Sequence, residues 1–190
     1  MTFLILGLVL FLGVHSVSIV APAWRDRQVA QRELAYKGIY SLASLAGLML
    51  LGHGYGLARL SPVILYTPPA GLRHLTLLLM VPVFPLFIST YMPGRISAAV
   101  KHPTLLAVKI WATAHLLANG TLHDVVLFGA FLAWAVADRI AAKRRAVPHK
   151  IPGAPPSGRN DVIAVVLGLA LYVAFVWRLH LWLIGVSPLG

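Results

Sequence analysis

The feature that most constrains this chain is a series of apolar runs that approach or reach the length needed to cross a lipid bilayer. A transmembrane helix needs about 20 consecutive apolar residues. The runs cover residues 3–22, 36–57, 72–91, 104–118, 125–137 and 162–184, of which the fourth and fifth are short. A membrane β-barrel would instead alternate apolar and polar residues in short strands. The sequence therefore predicts an all-α polytopic membrane bundle of six transmembrane helices, forming a single domain over residues 1–190.

The composition agrees with lipid as the natural solvent. Hydrophobic residues make up 59% of the chain and charged residues only 11%, whereas soluble domains carry about a quarter charged residues. The chain contains no cysteine. Disulfides, thiolate catalysis, iron–sulfur clusters and cysteine-based zinc sites are therefore excluded.

The basic residues predict the orientation of the helices. When Lys37 and Arg73 at the edges of their runs are included, twelve Lys and Arg residues lie in the first, third and fifth connections and two in the second and fourth. Because basic residues collect on the cytoplasmic side, both termini are expected on the outer, periplasmic side of a bacterial inner membrane. The same rule explains the net charge of +11, so no nucleic-acid partner is expected. The first helix is expected to stay uncleaved, because no basic residue precedes it.

Prolines predict two interruptions of the helical pattern. Pro82 and Pro85 should kink the third helix and free backbone carbonyls, and the Met92-Pro93-Gly94 sequence should end it. The linker 146–161 holds four prolines and two glycines, which is typical of a solvated connector. Such a connector leaves open whether the last helix packs on the other five.

Two histidines lie deep in apolar runs. His15 lies about 18 Å from the outer end of helix one, and His115 about 16 to 17 Å from the inner end of helix four, at ~1.5 Å per residue. In a core about 30 Å thick, both imidazoles fall near one level. Two neutral imidazoles at one depth are what bis-histidyl haem iron requires. Alternatively, each ring hydrogen-bonds a helix backbone or a polar neighbour.

The other six histidines are expected at solvated helix ends: His53, His74, His102, His123, His149 and His180. A zinc or copper site would need three or four of them to converge, without any closely spaced pair in the sequence. Arg73 and Arg95 lie where helices meet the interface. They are candidates for binding haem propionates or lipid phosphates, although arginines also simply anchor helix ends.

Residues 95–145 carry a longer pattern, which resembles the central signature of the NnrU family. Its marks are His102-Pro103, Lys109, Trp111, Ala114-His115, Leu117, Ala118-Asn119-Gly120, Phe128-Gly129 and Asp138-Arg139. Residues 6–16, 36–48, 54–56 and 67–84 also read as segments of this family. The resemblance therefore covers nearly the whole chain.

The resemblance implies an integral membrane protein linked to nitrite and nitric oxide reduction in denitrification. A related branch, the 15-cis-zeta-carotene isomerase, binds haem b and isomerises a carotenoid through exchange of an axial ligand. Its two ligand histidines match His15 and His115 here. That branch has a cysteine three residues before the second histidine, where this chain has Ala112, so a thiolate switch is excluded.

Three hypotheses follow from these patterns. The first is an NnrU-type protein that binds haem b through His15 and His115 and acts in nitrogen-oxide metabolism, with nitric oxide as a candidate ligand. The second is an enzyme, a haem-dependent cis–trans isomerase of a carotenoid or other polyene. The third is a membrane scaffold or small transporter without haem, in which both histidines are structural.

Overall fold

The structure, a computed structural model, describes residues 1–145 and 153–189. These residues form helices and no strand, with one isolated backbone bridge between Ile64 and Thr121. The helices are α1 (Thr2–Val20), α2 (Pro22–Ala58), α3 (Leu72–Met80), α4 (Val83–Tyr91), α5 (Arg95–Val100), α6 (Pro103–Ala118), α7 (Leu122–Arg144), α8 (Gly158–Ala174) and α9 (His180–Ile184), with a π-helical turn at Phe175–Leu179 between the last two.

The helices confirm a helical membrane protein. Within the described ranges, five segments are long and apolar enough to cross a bilayer: Thr2–Val20, Pro22–Ala58, Leu72–Tyr91, Leu122–Arg144 and Gly158–Ile184. The remaining apolar helix, α6, has 16 residues and a length of about 24 Å, which is shorter than a hydrocarbon core of about 30 Å. By length alone, α6 is therefore not among the segments that could span a bilayer.

The connection between the first two runs differs from the prediction. Residues 24–35 were expected as a loop before a helix at 36, but they are helical and α2 begins at Pro22. The reason is local, because Pro22 suits the first helical turn and the segment is rich in Arg, Gln, Glu and Ala. A kink at Arg32, whose φ is −145° and ψ is 53°, separates this charged part from the apolar part.

Other helix ends also shift from the predicted bounds. The fifth helix was expected over 125–137, but α7 runs from Leu122 to Arg144 because a capping box starts it and helix-forming charged residues extend it. The last helix begins at Gly158 rather than at 162. Of the predicted linker 146–161, residues 146–152 lie outside the described residues.

The chain divides into two compact units, of which the first comprises Met1–Thr67 and Gly120–Arg145. In this unit α1 and α2 pack so closely that their backbones touch at glycines. A Cβ on Gly7 would lie 2.5 Å from the Leu51 nitrogen, and one on Gly54 would overlap the Leu4 nitrogen. Small residues at such contacts let membrane helices approach and gain dispersion energy. Leu4, Leu8 and Leu51 form the core beside them.

The second unit comprises Pro68–Asn119 and Ala146–Gly190. As predicted, its first spanning segment breaks at Pro82, where α3 ends and α4 begins, and α4 ends before Met92. The Tyr172 hydroxyl donates a hydrogen bond to the Leu77 carbonyl just before the break, at 2.9 Å. Gly168 lies against the Pro85 backbone, with no room for a Cβ. The last helix therefore packs directly on the broken span.

The beginning of α8 is held by two further contacts within this unit. The Asp161 carboxylate accepts hydrogen bonds from the Arg95 and Ile96 amides, at 2.9 and 3.0 Å, which satisfies the start of α5. The buried Asn160 amide donates to the Pro93 and Pro155 carbonyls, at 2.8 and 2.9 Å. The linker left open whether the last helix packs on the other helices. These contacts show that it is part of the second unit.

We expect Gly54→Ala to lower the melting temperature in detergent by several degrees, because the new methyl group would push α1 away from α2. The matched control is Gly52→Ala in the same helix, since a Cβ there meets no atom within 4 Å. That control should be neutral or slightly stabilising, because alanine has the higher helix propensity. Equal melting temperatures for both variants would contradict the close α1–α2 contact.

Candidate functional site

His15 lies on α1 among aromatic rings of the first unit. Its ring stacks on Phe11, with centroids 4.3 Å apart and planes at 29°. Tyr40 from α2 lies 5.1 Å away, and Trp134 from α7 approaches edge-on at 6.0 Å. His15 Nδ1 is 2.6 Å from the Phe11 carbonyl oxygen, one helical turn earlier. The half-buried imidazole is thus held by packing on several sides and by one hydrogen bond.

His115 occupies a comparable setting in the second unit. Its Nδ1 is 2.8 Å from the Trp111 carbonyl oxygen, also one turn earlier, and the two rings lie 5.4 Å apart. The Asn119 amide donates to the His115 carbonyl at 2.9 Å, which caps the end of α6. Ala112, on the same helix, is fully buried.

The backbone bonds determine the tautomer of both rings. A carbonyl oxygen only accepts, so the Nδ1 of each histidine must carry the proton and donate it. In a neutral imidazole the lone pair then resides on Nε2. A metal-binding histidine commonly has this form, because a backbone acceptor orients the ring and increases its basicity. Both residues therefore carry a nitrogen that is chemically suited to bind haem iron.

The position of His115 along its helix differs from the expectation, although the bounds of α6 lie close to the predicted run 104–118. His115 was expected well inside its helix, but it lies in the last turn of α6. The helix ends at Ala118 because Asn119 adopts an extended conformation, with φ of −129° and ψ of 126°. His15 belongs to the first unit and His115 to the second.

The two candidate arginines lie at opposite ends of one span. Arg73 is in the first turn of α3 and Arg95 begins α5, beyond the end of α4, and both are exposed. The Thr76 hydroxyl, one turn after Arg73, donates to the Ala114 carbonyl at 2.8 Å, immediately before His115. Arg73 is therefore at the level of His115, whereas Arg95 is separated from it by the length of the span.

Most of the remaining histidines lie near helix ends, but His123 was interpreted wrongly. It was expected in a solvated loop, yet it lies in the first turn of α7 and is only 4% exposed. His53 and His74 are exposed as expected, and His149 lies outside the described residues. Among residues 1–145 and 153–189, no group of three or more His, Cys, Asp or Glu side chains could hold a metal.

His123 belongs to a buried polar cluster that the sequence analysis missed. The Asp124 carboxylate, 4% exposed, accepts hydrogen bonds from the hydroxyls of Tyr55 and Thr121. His123 Nε2 lies 3.8 Å from that carboxylate, and its ring meets Tyr55 edge-on at 5.1 Å. Burial and the Asp124 charge raise the pKa of the neighbouring Tyr66 phenol above its ordinary value. The cluster links α2 to the start of α7.

Part of this cluster had a recognisable signal. A threonine three residues before an aspartate, followed by an apolar run, is a capping-box pattern. Thr121 and Asp124 fit it, and both hydrogen bonds of the capping box are present at the start of α7. Tyr55 is 69 positions away from Asp124, and no local pattern could have identified it as the partner.

Comparisons with known proteins give one match. The family model described as NnrU protein matches residues 3–188, which confirms the resemblance seen in the sequence. No curated protein and no solved structure matches the chain.

We expect Asp124→Ala to destabilise the protein by about 2 kcal/mol, because it removes a helix cap and leaves the Tyr55 hydroxyl without its acceptor. The melting temperature in detergent should fall by about 4 to 8 °C. Glu33→Ala is the control, because that exposed carboxylate forms only a surface ion pair with Lys37 and should change the melting temperature little. Similar melting temperatures for the two variants would show that the cluster does not stabilise the fold.

Proposed function

Since this chain belongs to the NnrU family, we propose that it is an NnrU-like membrane protein that binds haem b and acts in nitrogen-oxide metabolism. His15 and His115 would provide the two axial ligands. The observation that carries this proposal is the shared tautomer: each ring donates Nδ1–H to a backbone carbonyl and presents Nε2 as a base. The proposal requires both Nε2 atoms to reach one iron.

The surroundings of each histidine support a ligand role. Phe11, Tyr40 and Trp134 exclude water from much of the His15 ring, and Trp111 covers part of His115. A ligand held by packing and a hydrogen bond loses little entropy when it binds a metal. Haem held by His15 and His115 would supply one-electron chemistry and an iron able to bind nitric oxide.

The positions of the arginines narrow the choice of a propionate partner. The two propionates leave one edge of the haem, so arginines at opposite ends of a span of 20 residues cannot both bind them. A guanidinium pairs well with a carboxylate. Arg73, at the level of His115, is the partner we propose, and Arg95 is assigned to the opposite interface.

The topology proposed with this function has six crossings and both termini on the periplasmic side of a bacterial inner membrane. In this arrangement α6 is the fourth crossing. The charge distribution supports it, because connections on one side carry twelve basic residues and those on the other carry two. The extension of α2 keeps Arg25, Arg27 and Arg32 together at the cytoplasmic end.

No observation favours the isomerase hypothesis over this one. Exchange of an axial histidine for a thiolate needs a cysteine near the second ligand. At that position the chain has Ala112, which is fully buried, and it has no cysteine elsewhere.

An optical spectrum tests the haem proposal. The full chain, purified in detergent from cells supplied with haem, should show a Soret band and sharp α and β bands after reduction with dithionite. His15→Ala and His115→Ala should each lose or shift these bands, because each removes one axial nitrogen.

His53→Ala is the matched control, since it removes an exposed histidine from α2 and should leave the spectrum unchanged. A wild-type protein without a Soret band would exclude haem binding. Both deep histidines would then be structural, and a scaffold or transporter would be the better interpretation.

A genetic test addresses the nitrogen-oxide role separately. A strain lacking this gene should consume nitrite more slowly or accumulate nitric oxide under anaerobic growth, and the wild-type gene should restore it. The His15→Ala gene should fail to restore it although the variant protein reaches the membrane, whereas the His53→Ala gene should succeed. Unchanged nitrogen-oxide turnover in the deletion strain would contradict this role. Haem binding would still be decided by the optical spectrum.

A further inference from the structure

The first unit contains a cavity of about 310 Å³ between the end of α1 and the kinked part of α2. We call it the α1–α2 wedge. The kink at Arg32 lies at this cavity, which is lined by residues of α2 from both sides of the kink. The wedge lies at the boundary between the charged segment 25–37 and the apolar segment 36–57. In a bilayer this boundary corresponds to the headgroup level.

The wedge has an apolar wall and a polar end. Val14 and Val17 from α1 and Ile39 from α2 line the apolar wall. Aromatic side chains, which are favoured at membrane interfaces, line the rest: Trp24, Tyr36 and Tyr40. The polar end is formed by Gln28 and Arg32. An occupant must therefore combine an apolar part with a group that accepts hydrogen bonds.

The charge at the polar end is unbalanced. Arg25 pairs with Asp26 at 2.8 Å, and Lys37 pairs with Glu33 at 2.6 Å. In contrast, Arg32 has no hydrogen-bond or ion-pair partner in the described part of the chain, and no acidic residue lines the wedge. The guanidinium favours an anion with several oxygens, such as a phosphate.

We propose that the α1–α2 wedge binds an anionic phospholipid, with its phosphate on Arg32 and Gln28 and part of one acyl chain along Val14, Val17 and Ile39. A cavity of about 310 Å³ is small for a ligand pocket, so it accommodates a headgroup phosphate and one chain segment. Basic pockets between transmembrane helices on the cytoplasmic side bind such headgroups. This proposal does not rest on haem binding. Tyr40 lines the wedge and also contacts the His15 ring.

Native mass spectrometry of the delipidated full chain in detergent tests this proposal. Phosphatidylglycerol and phosphatidylcholine with identical acyl chains are the probes. We expect the anionic lipid to bind about fivefold more tightly, which is the contribution expected of one basic side chain near a lipid surface. Equal binding of the two lipids would overturn the proposal.

Two charge variants separate a defined site from general attraction. Arg32→Gln should remove the preference for phosphatidylglycerol. Arg27→Gln, which changes the net charge equally but does not line the wedge, should retain it. Equal losses in both variants would show that only the net charge matters, and would overturn the proposal. Val17→Phe keeps the net charge, but its larger side chain occupies the space along the apolar wall. It should therefore weaken phosphatidylglycerol binding although Arg32 is still present.

A soluble anion distinguishes a lipid from a free phosphate compound. Glycerol 3-phosphate carries the headgroup phosphate without acyl chains. It should fail to displace phosphatidylglycerol even in large excess, because it cannot occupy the apolar wall. Displacement at concentrations comparable to that of the lipid would assign the wedge to a soluble anion and overturn the lipid proposal.

Discussion

Every backbone carbonyl inside the hydrocarbon must find a donor within the protein, because water is absent there. Helices meet this demand along most of the chain, and the structure shows how it is met where they break. At Pro82 the regular hydrogen bonds of the span fail, and the Tyr172 hydroxyl from the last helix donates to Leu77. The packing of the last helix thus depends on a proline in the third run. The first amides of α5 also lack partners within their own helix, and the Asp161 carboxylate accepts their hydrogen bonds.

The same constraint bears on the chemistry of His15 and His115. An imidazole that donates Nδ1–H to a carbonyl of its own helix satisfies a polar atom that lipid could not solvate. It also becomes the tautomer with its lone pair on Nε2, which suits a metal ligand. The bond that stabilises the neutral ring within the helix therefore also makes Nε2 its basic nitrogen. Structural and ligand roles share one geometry, and they differ only in what Nε2 contacts.

Charged groups close both ends of the first unit. At one end, Asp124 joins the start of α7 to Tyr55 of α2. At the other end, Arg145 donates to the Asp138 carboxylate and to the Ser18 carbonyl, at 3.0 and 2.8 Å, and links the end of α7 to α1. Between these ends the helices meet through glycine and leucine. Polar bonds at the ends and close apolar packing between them suit a lipid environment. An unpaired charge is costly in the bilayer interior but can be solvated at the interface.

The sequence alone determined the class of protein, the family and most of the helices, because each depends on local composition. A run of about 20 apolar residues must be helical in lipid, prolines interrupt a helix wherever they occur, and the family pattern is a linear string. Local patterns also singled out His15 and His115 through their distance from the ends of their runs.

Only the tertiary structure decided which side chains meet. Residues 24–35 are helical, and α2 kinks at Arg32 beside the α1–α2 wedge. The hydrophobicity pattern of the sequence does not predict this cavity. His123 was predicted to be solvated because it follows a short polar connection in the sequence. In the structure it is buried and packs against Tyr55. Tyr172 and Leu77 are 95 positions apart, and their bond exists because two helices lie side by side. Contacts of this kind depend on the relative position of distant segments, which hydropathy and spacing along the chain do not encode.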